Sequence, residues 1–412
     1  MVPISREGRK TMKYVVVLGD GMADYPIEEL KGGTPLSAAN TPMLDELAKM
    51  SEIGLVHTIP EGMAPGSDTA NLSVIGYDPK QYYTGRSPLE ALSIGVDMKD
   101  TDVALRCNIV TVTEEESSYE DRTILDHSSG EISTEDAAIL LEAVRKELET
   151  DICKFYVGTS YRHLLIWDRG EVVELTPPHD VLGQRIGEHL PKDDMLREMM
   201  RKSYDILNEH PINVERAKKG LNKADSIWFW GAVTRPALSS FEEKYGKKGV
   251  MISAVDLLKG IAVGADMTNI TVEGANGGLN TNYEGKAMAA VKALTEDGYD
   301  FAYIHVEAPD EMGHQGSLSK KIQSIENLDQ KVIKIVKENL DKSAEPYRML
   351  VLPDHPTPIA IRTHCSDPVP YLLYDSTKKV ESELHYNEAD AKESGNYIAQ
   401  GHDMMDYLFG NK

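Results

Sequence analysis

The chain has 412 residues, of which 41% are hydrophobic and 27% charged, so it is long enough for two or three globular domains. Its formal net charge of −23 makes nucleic acids and anionic membranes poor partners, and no apolar run approaches the length of a membrane-spanning helix. Three widely spaced cysteines give no disulfide framework, and residues 1–13 contain no apolar signal segment, so we expect a protein of the reducing cytoplasm.

Strand and helix patterns alternate in the first and last parts of the chain. In the first part we predict strands at 14–18, 53–59 and 103–112 and helices at 42–50 and 68–76. In the last part we predict strands near 250–253, 268–272, 301–306, 349–352 and 369–374 and helices near 284–296 and 318–340. Such alternation is typical of an α/β fold with a mostly parallel sheet flanked by helices.

The middle of the chain has a different character, because it opens with an acidic run at 114–121. The patterns that follow predict a helix near 133–149, strands near 153–158, 162–167 and 171–175, and helices near 180–190 and 193–209. We therefore predict a smaller α+β domain at 113–224, inserted into a discontinuous domain formed by 1–112 and 225–412.

Carboxylates and histidines follow three of the predicted strands. These side chains are Asp20, Asp310, His314, Asp354 and His355. Because the carboxyl ends of parallel strands share one edge of a sheet, residues far apart in sequence would meet there. A mixture of carboxylate oxygens and imidazole nitrogens suits Mn²⁺, Zn²⁺ or Mg²⁺, so the pattern indicates a metalloenzyme.

Each of these residues also has an ordinary structural explanation. Asp20 lies between glycines, where an aspartate commonly caps a helix or forms a turn. Asp310 would be an N-cap and His314 an exposed side chain, although their four-residue spacing puts both on one face of a helix. Two further histidines on irregular segments are rival ligands, His364 and His402.

Ser67 follows a glycine at the start of the predicted helix 68–76. As an N-cap it needs no further role, because serine is a preferred capping residue. The same geometry also suits catalysis, since a helix N-terminus attracts a phosphoryl group and a hydroxyl beside a divalent ion can act as a nucleophile.

Seven segments together resemble the alkaline phosphatase superfamily and, more closely, the cofactor-independent phosphoglycerate mutases of the archaeal type. They run in the same order over almost the whole chain and comprise 17–24, 66–78, 83–91, 106–108, 305–314, 353–355 and 363–370. The resemblance implies an alkaline-phosphatase-like sheet flanked by helices, with the inserted domain acting as a lid.

The resemblance also implies two divalent ions, usually Mn²⁺, with Mg²⁺, Co²⁺ or Zn²⁺ in some relatives, and no requirement for 2,3-bisphosphoglycerate. One ion would be held by Asp20, Ser67, Asp354 and His355. The other would be held by Asp310, His314 and His364. His364 is preferred over His402 because a Thr-His pair before a Pro-Val-Pro run matches the family's pattern.

The implied activity is the interconversion of 3-phosphoglycerate and 2-phosphoglycerate in glycolysis and gluconeogenesis, through a phosphoserine at Ser67. An acidic chain needs local cations to bind this small phosphorylated substrate. The candidates for binding its carboxylate are Arg86, Arg106, Arg162, His163 and Lys259, with Arg235 a weaker one. His163 could also serve as a proton donor. The alternatives are a phosphopentomutase, a metal-dependent phosphatase, or a metal-binding relative without activity. The sequence leaves the oligomeric state open.

Overall fold

The computed structural model describes residues 11–412, and the start of the segment 1–13 lies outside this range. The chain divides into two compact units. The first combines the residues up to Tyr83 with Leu238–Lys412, and the second is Thr84–Ala237. Among residues 11–412, no helix has both the length and the apolar character needed to cross a membrane.

Short strands and helices succeed one another along both units. In chain order the strands are β1 (Lys13–Gly19), β2 (Ser51–Val56), β3 (Val103–Val112), β4 (Ile124–Asp126), β5 (Cys153–Thr159), β6 (Arg162–Trp167), β7 (Ser226–Thr234), β8 (Gly249–Ile252), β9 (Thr268–Asn269), β10 (Phe301–Val306), β11 (Tyr347–Leu352), β12 (Val369–Asp375) and β13 (Tyr397–Ile398). The α-helices are α1 (Pro35–Ala38), α2 (Pro42–Ala48), α3 (Ser67–Val74), α4 (Pro79–Tyr82), α5 (Arg86–Ser93), α6 (Thr134–Leu148), α7 (Asp194–Leu207), α8 (Pro211–Lys218), α9 (Phe241–Tyr245), α10 (Asp256–Gly264), α11 (Tyr283–Thr295), α12 (Ala308–His314), α13 (Leu318–Leu328), α14 (Lys334–Ser343), α15 (Glu388–Glu393) and α16 (Met404–Phe409).

The first unit is built on an eight-stranded sheet in the order β13-β2-β12-β11-β1-β10-β8-β9. The strands from β11 to β9 are parallel, whereas β12 runs antiparallel to both of its neighbours. Every residue of β1 and β10 is buried, as expected for continuous apolar runs covered on both faces by helices. The predicted α/β class with a mostly parallel sheet is confirmed.

The core of this unit joins the sheet to the helices of the C-terminal half. Val17 of β1 packs in the same cluster as Val291 of α11 and the apolar stripe Ile325, Leu328 and Val332. The predicted helix at 318–340 is observed as α13 and α14, joined by a π-helical turn at Asp329–Ile333. In that turn the Asp329 carboxylate accepts the backbone N–H groups of Met43 and Leu44 at the start of α2.

The second unit contains a separate antiparallel sheet in which β3 is the central strand. Its order is β4-β3-β6-β5, and β7 also pairs with β3. The strand predicted at 103–112 is confirmed, but it pairs with β4, β6 and β7 rather than with strands of the first unit. This compact unit therefore extends beyond the predicted insertion 113–224 at both ends.

Two predicted elements of the second unit are wrong. Residues 171–175 form no strand, and the helix expected near 180–190 is replaced by 3₁₀ turns at Pro178–Val181 and Ile186–Glu188. The pair Pro177-Pro178 explains part of this difference, because proline fixes φ and cannot donate a ladder hydrogen bond. Hydrogen bonds to other parts of the unit hold the segment 171–190 in place, such as the bond from Trp228 Nε1 to the Thr176 carbonyl oxygen.

Candidate active site

The predicted acidic ligands of the first unit lie at the carboxyl ends of three neighbouring strands, β11, β1 and β10. Asp20 directly follows β1, Asp354 follows β11 after one proline, and Asp310 lies on α12, which begins two residues after β10. All three are buried, with 2%, 0% and 6% exposure for Asp20, Asp354 and Asp310 respectively. The sheet therefore brings together residues that are hundreds of positions apart in sequence.

One group of side chains surrounds the imidazole of His355. Its Nε2 lies 3.1 Å from Ser67 Oγ, 3.6 Å from Asp20 Oδ1 and 3.4 Å from Asp354 Oδ2. Ligand atoms of Asp20, Asp310 and His355 lie within 4.8 Å of one another, a spacing that one metal ion can bridge. The four residues expected to hold the first ion are thus adjacent.

A second group surrounds the carboxylate of Asp310. His314 Nε2 lies 3.2 Å from Asp310 Oδ2, and His364 Nε2 lies 3.3 Å from Asp310 Oδ1. The two imidazole nitrogens are 3.0 Å apart. His402 belongs to neither group and lies beside Asp78, 4.0 Å from its carboxylate. The structure therefore clusters His364, and not its rival His402, with Asp310.

Hydrogen bonds hold the ligand carboxylates in place. Asn71 of α3 donates to Asp354 Oδ2 at 2.9 Å and accepts the Tyr303 hydroxyl at 2.7 Å. Thr357 donates its hydroxyl to Asp310 Oδ1. Gly21 has φ +60°, and a Cβ there would stand only 2.6 Å from Asp310 Oδ1, so the close approach of this loop requires glycine.

A buried ion pair joins the two loops that carry Asp20 and His355. Lys321, fully buried on α13, donates to Asp24 Oδ2 at 2.8 Å and to the Thr357 carbonyl oxygen at 2.8 Å. Burial lowers the pKa of Lys321, whereas the Asp24 carboxylate opposes that effect. Because each loop bears one partner, Lys321 fixes their separation and hence the geometry of the ligands.

The buried carboxylates of the cluster need bound cations to balance their negative charge. Burial, together with the nearby Asp354 and Asp310 carboxylates, raises the pKa of Asp20 well above its usual range. Asp20 Oδ1 is buried and has no hydrogen-bond partner among residues 11–412. Buried carboxylates are stable as anions only when paired or bound to metal, and this oxygen faces the imidazole of His355. The donor set fits divalent ions with mixed oxygen and nitrogen preference.

His355 and His314 differ in pKa, and therefore in whether a metal ion would have to displace a proton from the ring. Burial lowers the pKa of His355, which favours the neutral imidazole that metals bind. The hydrogen bond to Asp310 raises the pKa of His314 to about 9. An ion at the Asp310 group therefore competes with a proton on His314.

Ser67 is the first residue of α3, and the N-cap is Gly66, which adopts an extended conformation. The expectation that Ser67 itself caps the helix is wrong, and its hydroxyl is not used in a capping bond. Instead the half-buried hydroxyl faces His355 at the positive end of the helix dipole. The geometry suits a nucleophile that attacks a phosphoryl group.

The arginines proposed for substrate binding lie in the second unit. Arg106 on β3 stacks over the Trp230 ring, with 4.5 Å from Cζ to the centroid, and its guanidinium pairs with Glu90 of α5. Arg162 is exposed at the start of β6, and Arg86 is the exposed first residue of α5. Arg106 is therefore held rigidly, whereas the other two reach solvent.

The remaining substrate candidates have different surroundings. His163 is 2% exposed and pairs across the strands with core residue Cys107, and burial lowers its pKa to about 4. Lys259 lies on α10 in the first unit, 3.1 Å from Asp256. Arg235 donates to the Met98 carbonyl oxygen at 2.9 Å.

Sequence reasoning missed several residues that contact the ligands. Asn71 and Thr357 bond Asp354 and Asp310, and His305 Nε2 lies 2.9 Å from Asp20 Oδ2. Burial lowers the pKa of His305 to about 3, so its imidazole is neutral. The signal was present, since His305 is a titratable side chain inside an otherwise apolar strand.

The fold and this site define an α/β protein with a carboxylate–imidazole centre and a serine at the carboxyl edge of its sheet. A model of the 2,3-bisphosphoglycerate-independent phosphoglycerate mutases matches residues 48–213. A relative of that name from Methanosarcina barkeri is 47% identical over 403 residues, 96% of this chain and 99% of the relative. A relative from Methanothermobacter thermautotrophicus, named 2,3-bisphosphoglycerate-independent phosphoglycerate mutase 2, is 46% identical over 97% of both chains.

Two solved structures have a similar fold. A protein of Pyrococcus horikoshii aligns over 97% of both chains with a TM-score of 0.81 and 30% identity. The cofactor-independent phosphoglycerate mutase of Thermoplasma acidophilum aligns over 97% of this chain and 99% of its own, with a TM-score of 0.66 and 25% identity. The chain belongs to the 2,3-bisphosphoglycerate-independent phosphoglycerate mutase family, which confirms the predicted resemblance.

Proposed function

We propose that this protein interconverts 3-phosphoglycerate and 2-phosphoglycerate through a phosphoserine at Ser67, without 2,3-bisphosphoglycerate. One observation carries the proposal. Ser67 is the first residue of α3, and its Oγ lies 3.1 Å from His355 Nε2, near the buried carboxylates of Asp20 and Asp354. The names of the nearly full-length relatives support the substrate.

We assign two divalent ions to the cluster. One set of ligands is Asp20, Ser67, Asp354 and His355, and the other is Asp310, His314 and His364. The mixed oxygen and nitrogen donors suit Mn²⁺, Zn²⁺ or Mg²⁺. The family resemblance favours Mn²⁺, with Mg²⁺, Co²⁺ and Zn²⁺ as alternatives. When bound, such ions lower the pKa of a coordinated hydroxyl and neutralise charge on phosphoryl oxygens.

The reaction divides into two transfers at Ser67. In the first, Ser67 Oγ loses its proton and bonds to phosphorus while the bond from phosphorus to the glycerate oxygen breaks, and that oxygen gains a proton. In the second, the other glycerate hydroxyl loses its proton and bonds to phosphorus while the bond from phosphorus to Ser67 Oγ breaks, and Oγ gains a proton. The N-terminal end of α3 favours the phosphoryl charge throughout. The net change is an isomerisation, provided that water is excluded from the phosphoserine.

We propose that the second unit supplies the substrate contacts and the cover that excludes water. Arg106 is the best-prepared candidate for the glycerate carboxylate, because Trp230 and Glu90 hold its planar guanidinium. Arg162 and Arg86 are exposed and would add positive charge for the anionic substrate. Lys259 would contribute a positive charge to substrate binding, and His163 would contribute a neutral imidazole.

The test is a coupled enolase assay with 3-phosphoglycerate. Wild-type protein with Mn²⁺ should form 2-phosphoglycerate, chelator should stop turnover, and added Mn²⁺ should restore it. Ser67→Ala should abolish turnover. Ser73→Ala is the matched control, because Ser73 lies in the same helix and its buried hydroxyl has no hydrogen-bond partner in the described part of the chain. Mass spectrometry should find phosphate on Ser67 after incubation with substrate.

Other results would favour the alternatives. Free phosphate in place of 2-phosphoglycerate indicates a phosphatase, and turnover of pentose phosphates indicates a phosphopentomutase. Mn²⁺ binding without phosphate on Ser67 indicates an inactive relative. Full activity of Ser67→Ala would refute the covalent route. We also propose a location in the reducing cytoplasm, consistent with the free thiols of Cys107, Cys153 and Cys365.

A further inference from the structure

A chain of hydrogen bonds runs across the carboxyl ends of β8, β10 and β1 and ends at Asp20. Ser253 follows β8, and its Oγ lies 3.2 Å from His305 Nδ1. The opposite nitrogen of the same ring, His305 Nε2, lies 2.9 Å from Asp20 Oδ2. Ser253, His305 and Asp20 are 6%, 0% and 2% exposed, so the protein rather than water determines their hydrogen bonding.

The partners of Ser253 permit one consistent set of donors and acceptors in this chain. Its oxygen accepts the Val255 backbone N–H at 3.0 Å, and its own O–H can donate to His305 Nδ1. A neutral imidazole that accepts at Nδ1 carries its proton on Nε2. This is the tautomer that an ionised, metal-binding Asp20 requires, because His305 then donates to Asp20 Oδ2.

The imidazole is fixed in this position from the backbone as well. His305 lies directly beside Leu18 in the register of β10 and β1, and the buried Lys286 donates to its carbonyl oxygen at 2.9 Å. The backbone of this residue is therefore held at the centre of the sheet, and the residue is fully buried. As a result Asp20 presents only Oδ1, its second buried oxygen, towards His355.

We infer that His305 is a positioning residue for the metal centre: it occupies one oxygen of Asp20 and directs the other towards the ion, while Ser253 sets its tautomer. The inference rests on the metal ligands assigned in the proposed function. Groups that orient a metal ligand in this way commonly change metal affinity by about 10- to 100-fold.

The test is Mn²⁺ binding to metal-free protein, monitored by electron paramagnetic resonance of free Mn²⁺, with the circular dichroism spectrum as a check on folding. His305→Leu removes the donor and should weaken one of the two Mn²⁺ sites by about 10- to 100-fold. His305→Gln retains a side-chain N–H and should recover most of the affinity. Ser253→Ala removes the hydrogen bond at His305 Nδ1, so the ring is no longer held in one tautomer. This variant should weaken the same site by a smaller factor.

Ser203→Ala is the matched control. Ser203 is buried in the second unit, and its hydroxyl accepts the Ile227 N–H at 2.9 Å much as Ser253 accepts Val255. It should leave both Mn²⁺ sites unchanged. If His305→Leu and Ser253→Ala fold and both bind two Mn²⁺ as tightly as wild type, or if His305→Gln binds no better than His305→Leu, the inference fails.

Mutase activity is measured separately, so the two proposals can fail independently. A wild-type protein that binds two Mn²⁺ but forms no 2-phosphoglycerate overturns the proposed function. In that case a selective loss of one Mn²⁺ site in the His305 variants still supports the positioning role.

Discussion

Asp225 in the second unit provides a pH-dependent test of the structure. It precedes β7 and is fully buried, and its Oδ1 accepts the Val112 N–H at 3.0 Å, while Oδ2 has no hydrogen-bond partner within residues 11–412. Burial raises the pKa of Asp225 to about 7, although the bond from Val112 acts in the opposite direction. The unfolded chain would instead titrate near the usual aspartate value of about 4.

The sign of the effect follows from the raised pKa. Below pH ~4 the carboxyl is protonated in both states and has no effect on stability. As the pH rises towards 7, only the unfolded state releases the proton, so stability falls and the loss is complete above the folded pKa. At about 1.36 kcal/mol per pKa unit, the loss has an upper limit of roughly 4 kcal/mol.

The variant Asp225→Asn should remove this loss. All three tryptophans, at 167, 228 and 230, lie in the second unit, so their fluorescence follows its unfolding selectively. Urea midpoints measured between pH 4.5 and 8 should decline more steeply for wild type than for the variant. Identical pH dependence in the two proteins would refute the assignment of a raised pKa to Asp225.

Three further predictions concern the first unit. Gly21→Ala should weaken Mn²⁺ binding in a direct titration, because its Cβ would collide with a ligand carboxylate; unchanged affinity would contradict the close approach. His364→Ala should bind one Mn²⁺ fewer than wild type, whereas His402→Ala should bind the full number; the reverse would exchange their roles. Lys321→Met should lower stability in urea by about 3–5 kcal/mol, because it leaves a buried carboxylate unpaired. The exposed neighbour Lys320→Met should change stability little.

The central strands could be predicted because their signal is local. The runs at 14–18, 301–306 and 349–352 are apolar and short, and each is a strand within about two residues of its prediction. The strand at 103–112 was equally clear, but its own sequence does not indicate which strands pair with it. Its pairing with β6 and β7 depends on segments more than 50 and 110 positions away.

The site divides in a similar way. Asp20, Asp310 and Asp354 follow strands and were visible as carboxylates at the ends of apolar runs. The contact of His305 with Asp20 could not be predicted from the sequence, because it requires that β10 and β1 be neighbours in a known register. Ser67 was expected as a helix cap, yet the helix includes it because Gly66 already adopts the capping conformation.

The candidate ligands are spread from Asp20 to His364, and the strands that several of them follow have a sequence order that differs from their order in the sheet. During synthesis the earliest carboxylate leaves the ribosome long before the last imidazole. The centre is complete only once nearly the whole chain has emerged and the middle strands have assembled. Metal loading of the proposed centre would therefore belong to the end of biogenesis, because a truncated nascent chain would lack part of the ligand set.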